Sequence, residues 1–187
     1  LGLGLLVGID PNTNFLFSDK KLNELENTIR NFQPTHVLWC ESWLYLYHDA
    51  LRGGYGFWFR NILDLHNIES QLRGQVSMTE KGVRRIVEKL RGRIMREEEG
   101  VLGDISDEVW VCSEIEKSAC KSLGFLAPIT VVPNKVDFSF YQNVRREGIR
   151  SFGMVGIWSY PPNARAAESL VSTVWPMVGK SVPILVG

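Results

Sequence analysis

The sequence predicts an α/β fold built on parallel sheets. Short apolar runs of strand length recur along the chain, and segments with helical period separate them. Gly, Pro, Asn or Asp punctuates most of the joins. The runs are continuous rather than alternating, as in "THVLWC" and "EVWVC", which is the pattern of strands covered on both faces by helices.

Composition agrees with an ordinary globular chain. A length of 187 residues suffices for one domain or two small ones. At 44% hydrophobic and 22% charged residues it falls within the globular range. Lys and Arg number 21 and Asp and Glu number 21, so the net field favours neither nucleic acid nor an acidic substrate as partner. Cys40, Cys112 and Cys120 are an odd set at unpatterned spacing, two of them in apolar runs read as buried strands. Free thiols in a cytoplasmic protein are the expectation. No metal-ligand spacing links them to His36, His48 and His66, so no metal site is expected.

The opening "LGLGLLVGID" is too short to span a bilayer and lacks a basic flank. Gly2, Gly4 and Gly8 suggest a phosphate loop, but Pro11 and Asn12 follow where that motif needs a helix. The run is read as a strand of a domain whose beginning is absent. A helix is predicted from Ser18 to Phe32, with Leu22, Leu25, Ile29 and Phe32 at helical spacing and Pro34 as the stop. "THVLWCES" follows as a strand, "YHDALRGGYGFW" as an irregular stretch, and "NILDLHN" as the next strand. Ser77 and Glu80 have capping-box spacing ahead of a long helix whose apolar face would hold Val83, Ile86, Val87, Leu90 and Ile94. "EVWVCSE" reads as a strand, Ser113 to Leu123 as a helix closed by Gly124, and "ITVVPN" as a strand.

Beyond "VVPNKVD" the texture changes. Residues 138–150 are polar and aperiodic, with Arg145, Arg146 and Arg150, and read as a linker. A second unit over 151–187 then begins with strand "FGMVGIW", turn "SYPPN", a helix from Ala164 to about Val178 and strand "VPILVG". Asn163 is its expected N-cap. Ala164, Ala167, Leu170, Val171, Val174 and Val178 form its expected buried stripe. Two strands and one helix do not complete a sheet, so this unit is expected to be cut short.

The order "ILDLHNIES", "DEVWVCSEIEK", "ITVVPNKVD", "FGMVGIWSYPPNARAAESL" resembles the nucleotide-sugar-dependent glycosyltransferases of the GT-B fold, in particular the retaining family four. The resemblance runs from about Leu22 to Gly187. It implies two Rossmann-like domains: an acceptor-side domain over 1–137, lacking its start, and the beginning of a donor-side domain over 151–187. The junction departs from the family's Asn-Gly, reading Asn134-Lys135, which alters a turn where glycine tolerates positive φ. The family's downstream basic pair and paired Glu have no counterpart in these residues, so the fragment alone is expected to be inactive.

By this resemblance His66 faces the transferred sugar and hydrogen-bonds a hydroxyl, while Gly156 allows the donor's phosphates a close approach to backbone. The whole enzyme would transfer sugar from a nucleotide-sugar donor to a carbohydrate or lipid-linked acceptor, without metal or other cofactor. Alternatives are a sugar-nucleotide epimerase of the same fold, with Glu41 and Glu69 as its acid and base, or a non-catalytic binding piece. The long helix carries Lys81, Arg84, Arg85, Lys89, Arg91, Arg93 and Arg96 off its apolar stripe. Arg84, Arg85 and Lys89 are candidates for peripheral contact with an anionic membrane at its inner face.

Overall fold

The computed structural model describes residues 8–54, 59–141, 153–159, 161–178 and 184–186. The chain divides into two compact units, Leu1–Lys135 and Val136–Gly187. The strand expected over the first seven residues lies outside the described residues, as does the linker from 142 onward.

The first unit is built on one all-parallel sheet. Its strands lie in sequence order: β1 (His36–Cys40), β2 (Arg60–Leu65), β3 (Glu108–Val111) and β4 (Ile129–Val131). The register sets Leu38 beside Ile62 and Leu63 beside Val109. Because β2 and β3 are inner strands with helices over the sheet, Leu63, Leu65, Val109 and Val111 are buried. They pack with Trp39, Leu51, Leu102 and Cys120 into the core of the unit.

Among the described residues, six α-helices belong to this unit: α1 (Pro11–Leu16), α2 (Asp19–Phe32), α3 (Tyr45–Gly54), α4 (Glu69–Thr79), α5 (Gly82–Ile105) and α6 (Glu114–Ser122). Local chemistry explains several ends. Ser18 accepts from the Lys21 amide at the start of α2, and Gln33 ends it in the left-handed region at φ 50, next to Pro34. Ser113 accepts from the Glu116 amide to start α6, and Gly124 at φ 88 follows its end.

Several local expectations are corrected. A helix does follow Gly8, since Pro11 occupies its first turn and Asp10 caps it. Tyr45–Gly54 is helical, not irregular. Ser77 is no N-cap. It lies inside α4 with its hydroxyl donating to the Gly74 carbonyl, and the break before α5 falls at Glu80 and Lys81. On α5 only Ile94 of the expected stripe is buried, whereas Val83, Ile86 and Leu90 are exposed. The interior face instead carries Met95, Glu98, Glu99 and Leu102. Cys40 closes β1 in the open and Cys112 is half-buried beyond β3, leaving Cys120 as the buried thiol.

In the second unit, β5 (Gly153–Val155) and β6 (Ile184–Val186) pair in parallel. Between them lie α7 (Pro161–Ser169), a π-helical turn over Leu170–Val174, and α8 (Trp175–Val178). The helix starts at Pro161, so Asn163 sits in its first turn and does not cap it. The wide turn shifts the angular register of the residues after it. Val171 and Val174, expected in the buried stripe, lie within this turn and are exposed.

Candidate functional site

The carboxyl ends of β1 and β2 bring three polar side chains together. Cys40 pairs in register with Asp64, so Glu41 leaves β1 beside the last residues of β2. His66 stands one residue beyond β2 and two beyond Asp64, on the same side as Asp64 because strand side chains alternate. Its Nδ1 lies 3.3 Å from Glu41 Oε1, and its Nε2 lies 3.4 Å from Asp64 Oδ2. The imidazole is 55% exposed, so a ligand can reach it.

Glu41 is held there at a backbone cost. Its φ of 77° lies in the region that favours glycine, and its amide donates to the Asp64 carbonyl at 2.9 Å. Burial raises the Glu41 carboxyl above the usual range; the His66 ring opposes this, and Glu69 and Asp64 add to it. The neighbouring thiols share the field. Burial and then the Asp64 and Glu41 carboxylates raise Cys40, while burial, Glu116, Asp64 and Glu41 raise Cys112. Neither thiol is therefore an activated nucleophile.

Just past His66, α4 begins at Glu69, but its N-terminus is already served from within. The Ser70 amide donates to Glu99 Oε1 at 3.2 Å, and its hydroxyl donates to the other oxygen of the same carboxylate. Burial pushes the Glu99 carboxyl up to about 7 against those hydrogen bonds. This helix end offers no open seat for a phosphate. The set of half-buried Glu41 and Asp64 with exposed His66 suits neutral ligands that both donate and accept. A hydroxyl inserted beside the ring accepts from an imidazole N–H and donates to a carboxylate. At 3.3 and 3.4 Å the present contacts are loose enough to be exchanged for such bonds.

Gly156 follows β5 directly. A Cβ built there would meet Asn163 Nδ2 at 3.0 Å, and that same amide donates to the Ile157 carbonyl at 3.3 Å. The missing side chain thus leaves room for Asn163 to close the loop onto the first turn of α7. Arg84, Arg85 and Lys89 stand exposed on α5. His66 belongs to the first unit and Gly156 to the second.

The sequence reading missed two features. A cavity of about 700 Å³ opens at the amino ends of β1 and β2, where Arg52, Arg60, Asn61 and Asp107 meet. Its charges are satisfied locally, Arg52 by Asp107 at 3.5 Å and Arg60 by Glu108 at 2.9 Å. His48 is fully buried with its ring stacked on Trp39 at 4.7 Å, and burial followed by Arg52 lowers it to about 4, so it is a neutral core ring. Both features join segments far apart in the chain, and no local spacing announces them. No protein-family model, no curated protein and no solved structure matches this chain.

Proposed function

We propose that the chain is part of a nucleotide-sugar-dependent glycosyltransferase of the GT-B fold, one that passes a hexose to a carbohydrate or lipid-linked acceptor. The observation that carries this reading is His66, exposed just past the carboxyl end of an inner strand of a parallel sheet, with Glu41 and Asp64 beside its two nitrogens. Ligands of doubly wound sheets gather at that end. Two carboxylates and an imidazole match sugar hydroxyls better than phosphates, so His66 binds and orients sugar in this reading rather than acting as general base. The donor diphosphate then belongs to the second unit, where Gly156 follows β5 ahead of α7. An epimerase of the same fold would need two free carboxylates; Glu69 is buried near Arg73 and does not supply the second.

The test is transfer from a panel of UDP- and GDP-sugars, with the chain carried in its full open reading frame. His66→Ala should lower turnover by about 10²–10³, the usual cost of one lost donor in a site, while the unfolding midpoint stays in place. Turnover close to that of the parent protein would return His66 to a purely structural role.

A further inference from the structure

The first three turns of α5 bear an apolar ridge that the fold turns outward. Val83 is 74% exposed, Ile86 67% and Leu90 42%, and Met78 near the end of α4 is 80% exposed. At about 100° per residue the three α5 residues share one arc. The interior arc is that of Arg91, Met95, Glu98 and Leu102, about a third of a turn away. An apolar stripe strong enough to read as core from the sequence is therefore left without cover among the described residues.

Charge beside this ridge is mostly of one sign, although Glu80 and Glu88 share a surface hollow with Val83. Lys81, Arg84, Arg85, Lys89, Arg93 and Arg96 are exposed, and none of them joins an ion pair among the described residues. The one acid between residues 81 and 96 is Glu88, which is half-buried and turned to Arg73 at 3.4 Å and Arg91 at 3.6 Å. A second copy of the chain packed symmetrically here would bring the same cations together. Nucleic acid would answer the charge but give Val83, Ile86 and Leu90 nothing apolar to enter. A lipid surface answers both.

We propose that this face docks on an anionic bilayer, with Val83, Ile86 and Leu90 entering the boundary between headgroups and acyl chains. The six cations then lie at the headgroup phosphates. This docking stands on the exposed ridge and its charges, and does not require the transferase reading.

Sedimentation of the full chain with vesicles tests it, comparing pure phosphatidylcholine with a mixture containing about one-third phosphatidylglycerol. Binding should appear with the anionic vesicles alone. The triple variant Arg84→Gln, Arg85→Gln, Lys89→Gln should weaken it on the order of 100-fold, since each cation near such a surface contributes about fivefold. Ile86→Ser with Leu90→Ser should abolish the binding that survives high salt and leave the salt-sensitive share, salt screening only the charges. All five positions are exposed, and circular dichroism should show their helix content unchanged. The proposal is overturned by equal binding to neutral vesicles or by no binding. It is equally overturned if the serine variant dissolves a dimer, or if a single-stranded oligonucleotide competes the protein off the lipid.

Discussion

Asp10 and Arg91, 81 residues apart in sequence, are joined by two parallel hydrogen bonds, Nε to Oδ2 at 2.9 Å and Nη2 to Oδ1 at 3.2 Å. The same Asp10 carboxylate caps α1 by accepting from the Asn12 amide, and it is fully buried. Glu98 completes the join, accepting from the Asp10 amide at 2.8 Å and from the Thr13 hydroxyl at 3.1 Å. The helix that starts the described chain is thus fastened to α5 by charge and hydrogen bonding.

Arg91→Met should cost about 3–5 kcal/mol in chemical unfolding, because it strands the buried Asp10 charge. Adding Asp10→Asn to it should recover part of that loss. A single-variant cost below about 1 kcal/mol would show the pair to be screened by solvent.

Stability should fall as pH rises through the range in which Glu99 loses its proton. Its carboxyl is pushed up to about 7 in the folded protein from an ordinary 4.5, chiefly by burial. Between those values the folded chain binds more protons than the unfolded one, so the slope of stability against pH is negative. Burial raises Glu69 and Glu98 as well, with the same sign. Urea unfolding near pH 5 and near pH 8 should differ less for Glu99→Gln than for the parent, by up to about 3 kcal/mol. Identical pH slopes for the two proteins would contradict the burial of an ionisable Glu99.

Glu41→Gly should be more stable than Glu41→Ala by about 1–2 kcal/mol. Both variants lose the carboxylate near His66, and only glycine relaxes the φ of 77°. Thermal unfolding of the pair isolates this backbone strain, and equal midpoints would deny it.

Gly103→Ala should be destabilising by about 1–3 kcal/mol, since its Cβ would lie 2.5 Å from Phe125 Cγ and 2.6 Å from Cδ1. Gly100, three residues earlier on α5, has nothing within 4 Å of the same atom. Gly100→Ala should therefore stabilise by about 0.5–1 kcal/mol through helix propensity. Similar effects at the two glycines, read from denaturation midpoints, would mean that the Phe125 ring gives way freely.

Much of the sheet was legible in the chain because its signals are local. "THVLWC", "NILDL" and "EVWV" carry consecutive apolar side chains and each forms a strand, but the double cover expected for "THVLWC" fails, since edge strand β1 leaves Leu38 and Cys40 exposed. Ser18, Ser113 and Gly124 mark helix ends by hydrogen bonds and dihedrals that reach only a few residues. His66 lies at the end of β2 for the same reason, since the apolar run stops there. The candidate site was legible only in this one residue. That Glu41 joins it depends on the pairing of β1 with β2, which no spacing within either strand encodes.

By itself, then, the sequence determined the order of the strands, the parallel α/β class of the first unit and the position of His66, but not the helices Pro11–Leu16, Tyr45–Gly54 and Glu69–Thr79. The tertiary structure alone decided which side of α5 faces inward. Periodicity favoured Val83, Ile86 and Leu90, yet the buried face holds Glu98, Glu99 and the half-buried Arg91. Those charges are tolerable inside only because Asp10, Thr13 and Ser70, brought in from distant segments, supply their hydrogen bonds. A pattern of apolar residues cannot register such partners. It records what each side chain loses in water, not what waits for it across the fold.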